Sequence, residues 1–173
     1  MTALADSFAL VLTGGGARAA YQVGVLRCLA RHLPEVGLDV ITGVSAGAIN
    51  AGFVASRSGS LAAIIDELSE VWRKLELKDV IRIDSRSLAR NVFGWGGKLI
   101  SGGSKVAPRV HGLVDTTPLR ELLQRLFPSN DKGEIAGIAE NVARCHPRAV
   151  AMTALDYTTG KKANRATLPD YQA

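Results

Sequence analysis

Ser45 stands between two glycines in Gly43-Val44-Ser45-Ala46-Gly47, after the apolar Val40-Ile41 and ahead of a helix-compatible stretch, Ala48 to Ala55. A serine hydroxyl attacks a carbonyl only when a base takes its proton and a nearby group steadies the charge that develops. A serine on a sharp strand-to-helix turn has a strained backbone that crowds its neighbours. Glycines at both flanks relieve that clash and leave Oγ exposed. The position also lies at a helix N-terminus, where free N–H groups and the helix dipole favour negative charge. Acyl transfer through a covalent serine intermediate is the chemistry this spacing suggests, and a glycine-rich turn before a helix is its inert alternative.

The elements that would position Ser45 begin upstream. Phe8 to Thr13 is a continuous apolar, β-leaning run that stops at Gly14-Gly15-Gly16-Ala17-Arg18, and it predicts a buried strand. Three successive glycines add nothing to packing and cost backbone entropy on ordering, so close approach is their expected use. Backbone N–H groups in such a loop form a concavity for an anion, either a phosphate or an oxyanion. A helix is predicted from Ala19 to about Leu33, with Ala20, Val23, Leu26, Leu29 or Ala30, and Leu33 on its apolar side. The order of parts is strand, glycine loop, helix, strand, serine turn, helix.

With these residues in that order, the chain resembles the N-terminal part of a patatin-like phospholipase. Members of that family open with a strand, a Gly-Gly-Gly-x-Arg-Gly oxyanion loop, a helix, a second strand and Gly-x-Ser-x-Gly-x-x-Asn. Gly14 to Arg18 and Gly43 to Asn50 follow this closely. Leu113 to Leu119 and Thr153 to Lys161 are also similar to family stretches. The resemblance implies a three-layer α/β/α sandwich with a mostly parallel central sheet, C-terminally incomplete, with a partial domain over 7–162 and an atypical tail over 163–173. It implies a lipid acyl hydrolase of the lipid-degrading kind, acting on phospholipid or another lipid ester. Ser45 would be the nucleophile, Gly43 and Gly47 its elbow, and Gly14, Gly15 and Gly16 the oxyanion loop, supported by Arg18. Neither metal nor cofactor is implied.

Two departures from the family pattern follow. Ala19 stands where the loop usually ends in a further glycine, a mild change if φ is negative. More important, the resemblance implies a Ser-Asp dyad with the aspartate in Asp-Gly-Gly or Asp-Gly-Ala, and the chain contains no Asp-Gly. The chain therefore reads as truncated or frame-altered before its base, with weak or absent hydrolysis expected. The aspartates downstream of Ser45 are Asp66, Asp79, Asp84, Asp115, Asp131, Asp156 and Asp170, of which Asp115 fits a helix start and Asp156 a hairpin turn.

The 173 residues, 47% hydrophobic, suit one domain. Lys and Arg number 21 against 16 Asp and Glu, a formal charge of +5 that favours an anionic lipid surface. No basic run interleaves with aromatics, which argues against nucleic acid. Cys28 and Cys145 make no disulfide framework, and Cys28 is expected buried in the first helix. With Asp6 near the start and no long apolar run, neither a secretory signal nor a spanning helix is evident. A cytoplasmic setting with peripheral membrane contact is the resulting expectation. No clustering of His, Cys and carboxylates suggests a metal.

Further along, Ser60 to about Leu75 has the spacing of an amphipathic core helix that includes Trp72. Residues 76–116 are irregular and glycine-rich around Trp95, with a short helix over Ser85 to Asn91 and the makings of a lid. Thr117-Pro118 starts a helix that ends near Phe127-Pro128. A second helix is predicted from about Asp131 to Arg144, and a third buried strand over Ala149 to Leu155. Lys162 to Asp170 lacks the alternation of a returning strand.

Three other readings compete. Gly14 to Ala19 fits the dinucleotide-binding pattern GxGxxA with Asp39 downstream, but that leaves Ser45 unexplained and Asp39 precedes the end of the second strand. A Ser-His-Asp hydrolase would need a histidine from among His32, His111 and His146, of which the last two read as surface residues. A non-catalytic, lipid-binding role follows from the missing base.

Overall fold

The computed structural model describes residues 8–81, 115–131, 133–155 and 162–168. Strand β1 (Phe8–Leu12) leads through the glycine loop and a 3-10 turn (Gly16–Arg18) into α1 (Ala19–His32). Then follow β2 (Leu38–Val44), α2 (Ala46–Ser56) and α3 (Leu61–Lys74), and, further along, α4 (Thr117–Leu126), α5 (Ala136–Ala143), β3 (Ala149–Leu155) and β4 (Lys162–Thr167). The four strands form one mixed sheet in the order β1-β2-β3-β4, the first three parallel and β4 antiparallel to β3. Helices flank it, as expected for the patatin-like α/β fold.

The described residues up to Lys74 and from Phe127 onward form one compact unit, and those between Leu75 and Leu126 a second. Within the first, α2 is the central element. Its sequence, Ala-Gly-Ala-Ile-Asn-Ala-Gly-Phe-Val-Ala-Ser, is small or apolar nearly all round, as suits a helix enclosed on every side. It packs on β1, β2 and β3 and against α1, α3 and α5, with Ala51, Phe53 and Ala55 fully buried. From α1 come Ala19, Val23, Leu26 and Ala30, from α3 Ile64, Ile65 and Leu68, and from α5 Ile138 and Val142. The sheet adds Leu12, Ile41 and Val150. Asn141 of α5 donates through Nδ2 to the carbonyls of Ala55 and Arg57, both at 2.9 Å, and accepts from Ser58 Oγ at 3.1 Å. One side chain thus takes up carbonyls left over at the C-terminus of α2.

Several expectations need correction. β1 is not buried on both faces: Leu12 faces the core, whereas Val11 is 66% exposed. The buried arc of α1 includes Ala19 rather than Ala20, and Leu33 is exposed. That phase also turns Cys28 to the exposed side, with Sγ 3.6 Å from His32 Nδ1. The helix predicted from Asp131 forms only from Ala136. Before it, the Asn130 side chain accepts from Glu134 N at 2.9 Å and Gly133 adopts φ 73°, a local turn that competes with helix. Finally, Lys162–Thr167 does form a strand. Its residues are mostly exposed, and cross-strand pairing with β3, Val150↔Thr167 through Leu155↔Lys162, holds it in place.

In the second unit, a 3-10 turn (Leu77–Asp79) and α4 are in contact. The turn is fixed by a reciprocal capping box between Glu76 and Asp79. Asp115 Oδ1 accepts from Thr117 N at 2.9 Å, so Asp115 belongs to the start of α4. The lid, the short helix over Ser85 to Asn91, His111 and the turn at Asp156 lie outside the described residues.

Candidate functional site

β1 and β2 run parallel with Leu12 opposite Gly43, so both stop at the same, C-terminal end of the strands. The residues that follow each strand, Thr13 to Gly16 and Ser45 to Gly47, therefore meet there. Ser45 has φ 55° and ψ −124°, a positive-φ conformation sparsely populated for a residue with a Cβ. Its N–H donates to Thr153 O at 3.0 Å, and its carbonyl accepts from Ala48 N at 2.9 Å, the first turn of α2. The side chain is exposed, and Oγ has no hydrogen-bond partner among the described residues.

The elbow glycines are there for space. A Cβ on Gly43 would strike the carbonyl of Gly47 and come within 2.7 Å of Ala48 Cα. One on Gly47 would strike the carbonyls of Leu12 and Thr13, at the end of β1. Gly14 lies directly beside the serine: a Cβ there would be 3.2 Å from Ser45 Cβ and 4.0 Å from Oγ. Gly16 has φ 57°, the left-handed region that favours glycine. The N–H groups of Gly14, Gly15 and Gly16 donate to no protein acceptor among the described residues. They remain open to another hydrogen-bond acceptor. Arg18 closes the 3-10 turn, its N–H on Gly15 O at 3.2 Å, and its exposed guanidinium has no ion pair among the described residues.

No described carboxylate touches Ser45. Asp39 lies at the opposite end of β2 and pairs with Arg148 at 3.2 Å, which also removes it from the position a dinucleotide-binding acid would need. Asp66 pairs with Arg27 at 2.8 Å. The carboxyl of Glu70 is held below its ordinary range by a hydrogen bond from Arg73 on the exposed surface of α3. His32 and His146 are exposed, their Nδ1 atoms on the carbonyls of Cys28 and Arg144. Among the described residues no cluster of His, Cys, Asp and Glu has the makings of a metal site, and no helix is long and apolar enough to cross a membrane. A cavity of about 390 Å³ lined by Ile135, Ile138, Met152, Arg165 and Leu168 is not lined by Ser45 or the glycine loop.

Behind the two loops lies a hydrogen-bond network that sequence reasoning missed. Asn50, fully buried on α2, donates through Nδ2 to Ala19 O at 3.0 Å and to Gln22 Oε1 at 3.2 Å, and accepts from Trp72 Nε1 at 2.8 Å. Trp72 is thus a partly buried donor as well as an apolar body. An amide on α1 and an indole on α3 carry no signal of this in the sequence, because helix packing alone brings them together.

The sequence model for the Patatin family, described as patatin-like phospholipase, matches residues 10–171. A curated relative, the patatin-like phospholipase domain-containing protein ZK370.4 of Caenorhabditis elegans, is 36% identical over 76 residues, 40% of this chain. The aligned stretch spans only 6% of that relative's length. No solved structure matches the chain significantly. The matched span takes in the glycine loop, the serine turn and all but the start of the described sheet, and the chain belongs to the patatin-like phospholipase family.

Proposed function

We propose that this chain carries the nucleophile and oxyanion parts of a serine lipid acyl hydrolase acting on phospholipid or a related lipid ester. The observation that supports this best is the strained, exposed Ser45 set beside the unpartnered N–H groups of the glycine loop. Ser45 Oγ would add to the acyl carbonyl carbon as its proton passes to a carboxylate. The carbonyl oxygen, now negative, would be held by N–H groups of Gly14 to Gly16, with Arg18 supporting the loop or its charge. Collapse would expel the alcohol, which takes up the proton, and water would then release the fatty acid. The scheme uses neither metal nor cofactor. A lipid substrate and a formal charge of +5 fit peripheral contact with an anionic membrane from a cytoplasmic or membrane-associated position.

The family resemblance implies a base in an Asp-Gly-Gly or Asp-Gly-Ala motif, and these 173 residues contain no Asp-Gly. Weak ester turnover by this chain is expected for that reason, and the same fact favours a second reading, lipid binding without catalysis. Treating the chain and Ser45→Ala with a fluorophosphonate probe and a short-chain p-nitrophenyl ester tests both. Labelling that requires Ser45 supports the hydrolase reading, and equal labelling of Ser45→Ala removes Ser45 from the mechanism. Vesicle binding with no labelling moves the chain to the lipid-binding reading.

A further inference from the structure

We infer that Gln22 is a positioning residue that aims the Gly14 N–H at the oxyanion, an inference that rests on the hydrolase reading above. Gln22 Nε2 donates to Thr13 O at 2.7 Å. Thr13 O and the Gly14 N–H belong to one trans peptide and point in opposite directions from one plane, so fixing the carbonyl fixes the line along which the N–H points. Of the three loop glycines, Gly14 is the one whose Cβ position falls within 4.0 Å of Ser45 Oγ, and Thr13 O also abuts Gly47 of the elbow. Gln22 therefore acts where loop and elbow touch.

The polarity of the network is determined from its two ends. An indole N–H can only donate, so Trp72 requires the oxygen of Asn50, and Asn50 turns its amide nitrogen to Ala19 O and Gln22. Gln22 must meet that nitrogen with Oε1, which leaves Nε2 for Thr13 O, itself only an acceptor. Asn50 is fully buried, so neither amide can flip without stranding a polar group. The result is a chain of donors running from α3 through α2 and α1 to the peptide ahead of the glycine loop.

Gln22→Met keeps the length of the side chain and removes the amide. Expected are a shift of the Gly14 amide resonance in ¹⁵N–¹H spectra and a fall of roughly tenfold in the fluorophosphonate labelling rate, smaller than the hundredfold or more for loss of a whole oxyanion donor. Any measurable ester turnover should lose kcat with KM held within about twofold. Gln22→Glu at pH 8 keeps an acceptor for Asn50 but sets an anionic acceptor against Thr13 O in place of the donor, so if Gln22→Met fails to fold it serves for the Gly14 resonance alone, its added charge acting on the labelling rate by itself. An unmoved Gly14 resonance in a folded variant, or a loss confined to KM, overturns the inference. If the parent chain is neither labelled nor active, the hydrolase reading fails on its own, while the Gly14 resonance still decides whether Gln22 sets that peptide.

Discussion

Ser45→Gly should make the protein more stable than Ser45→Ala, and the sign of that difference tests the elbow. Both variants lose Oγ, which has no hydrogen-bond partner among the described residues, so the hydroxyl cancels between them. They differ in the Cβ carried at φ 55° and ψ −124°. Holding a Cβ in a sparsely populated backbone region costs about 1–3 kcal/mol. Against this, glycine gives the unfolded chain extra freedom worth about 0.4–1 kcal/mol. The balance is about 1 kcal/mol in favour of glycine, or roughly 2–4 °C in Tm for a chain of this size. Urea unfolding followed by far-UV circular dichroism measures it, provided the two slopes agree. If Ser45→Gly is the less stable by about 0.5–1 kcal/mol, only the entropy of glycine is operating. The backbone at Ser45 is then unstrained, and the elbow geometry is wrong.

Gly43→Ala forces a Cβ into backbone of α2 and should cost about 3 kcal/mol or more, whereas Gly24→Ala on the exposed side of α1, with open space around it, should gain about 0.5–1 kcal/mol; thermal melts of both decide, and similar shifts would refute the packing argument. Asn141→Ala removes the donor shared by Ala55 O and Arg57 O in a site 6% exposed, with an expected loss of about 2–4 kcal/mol in urea unfolding; a loss under about 0.5 kcal/mol would mean that water replaces the amide freely.

The parts legible in the sequence are those whose signals are local. β3 spans Ala149–Leu155 as expected, because a run of small and apolar residues follows Pro147 and stops at Asp156. The junction of β2, Ser45 and α2 was legible from the two glycines and the apolar residues around them. β4 was not, because Lys162–Thr167 carries polar residues without alternation and gains its extended form from β3 alongside it. The over-long helix before Arg144 failed for the opposite reason: the local hydrogen bonds of Asn130 outweighed a helical pattern. Cys28 shows how little phase error is needed. Placing Ala20 rather than Ala19 inside α1 rotates the helix by one residue, about 100°, enough to carry a thiol from core to surface.

The same contacts that stabilise this end of the sheet also set the geometry of the candidate site. Parallel pairing of Leu12 with Gly43 brings two loops far apart in sequence to one end of the sheet, but pairing alone would leave them separated by the spacing of neighbouring strands, about 4.8 Å. The gap closes because Gly47 has no side chain and the backbone of α2 can press against the carbonyls of Leu12 and Thr13. Gln22 donates to the same Thr13 carbonyl. A methyl group at position 47 would therefore push the end of β1 away from α2 and carry Gly14 with it. Substitutions at Gly47 should disturb packing and the placement of the Gly14 peptide together, whereas Gln22→Met should alter the second while leaving most of the first intact.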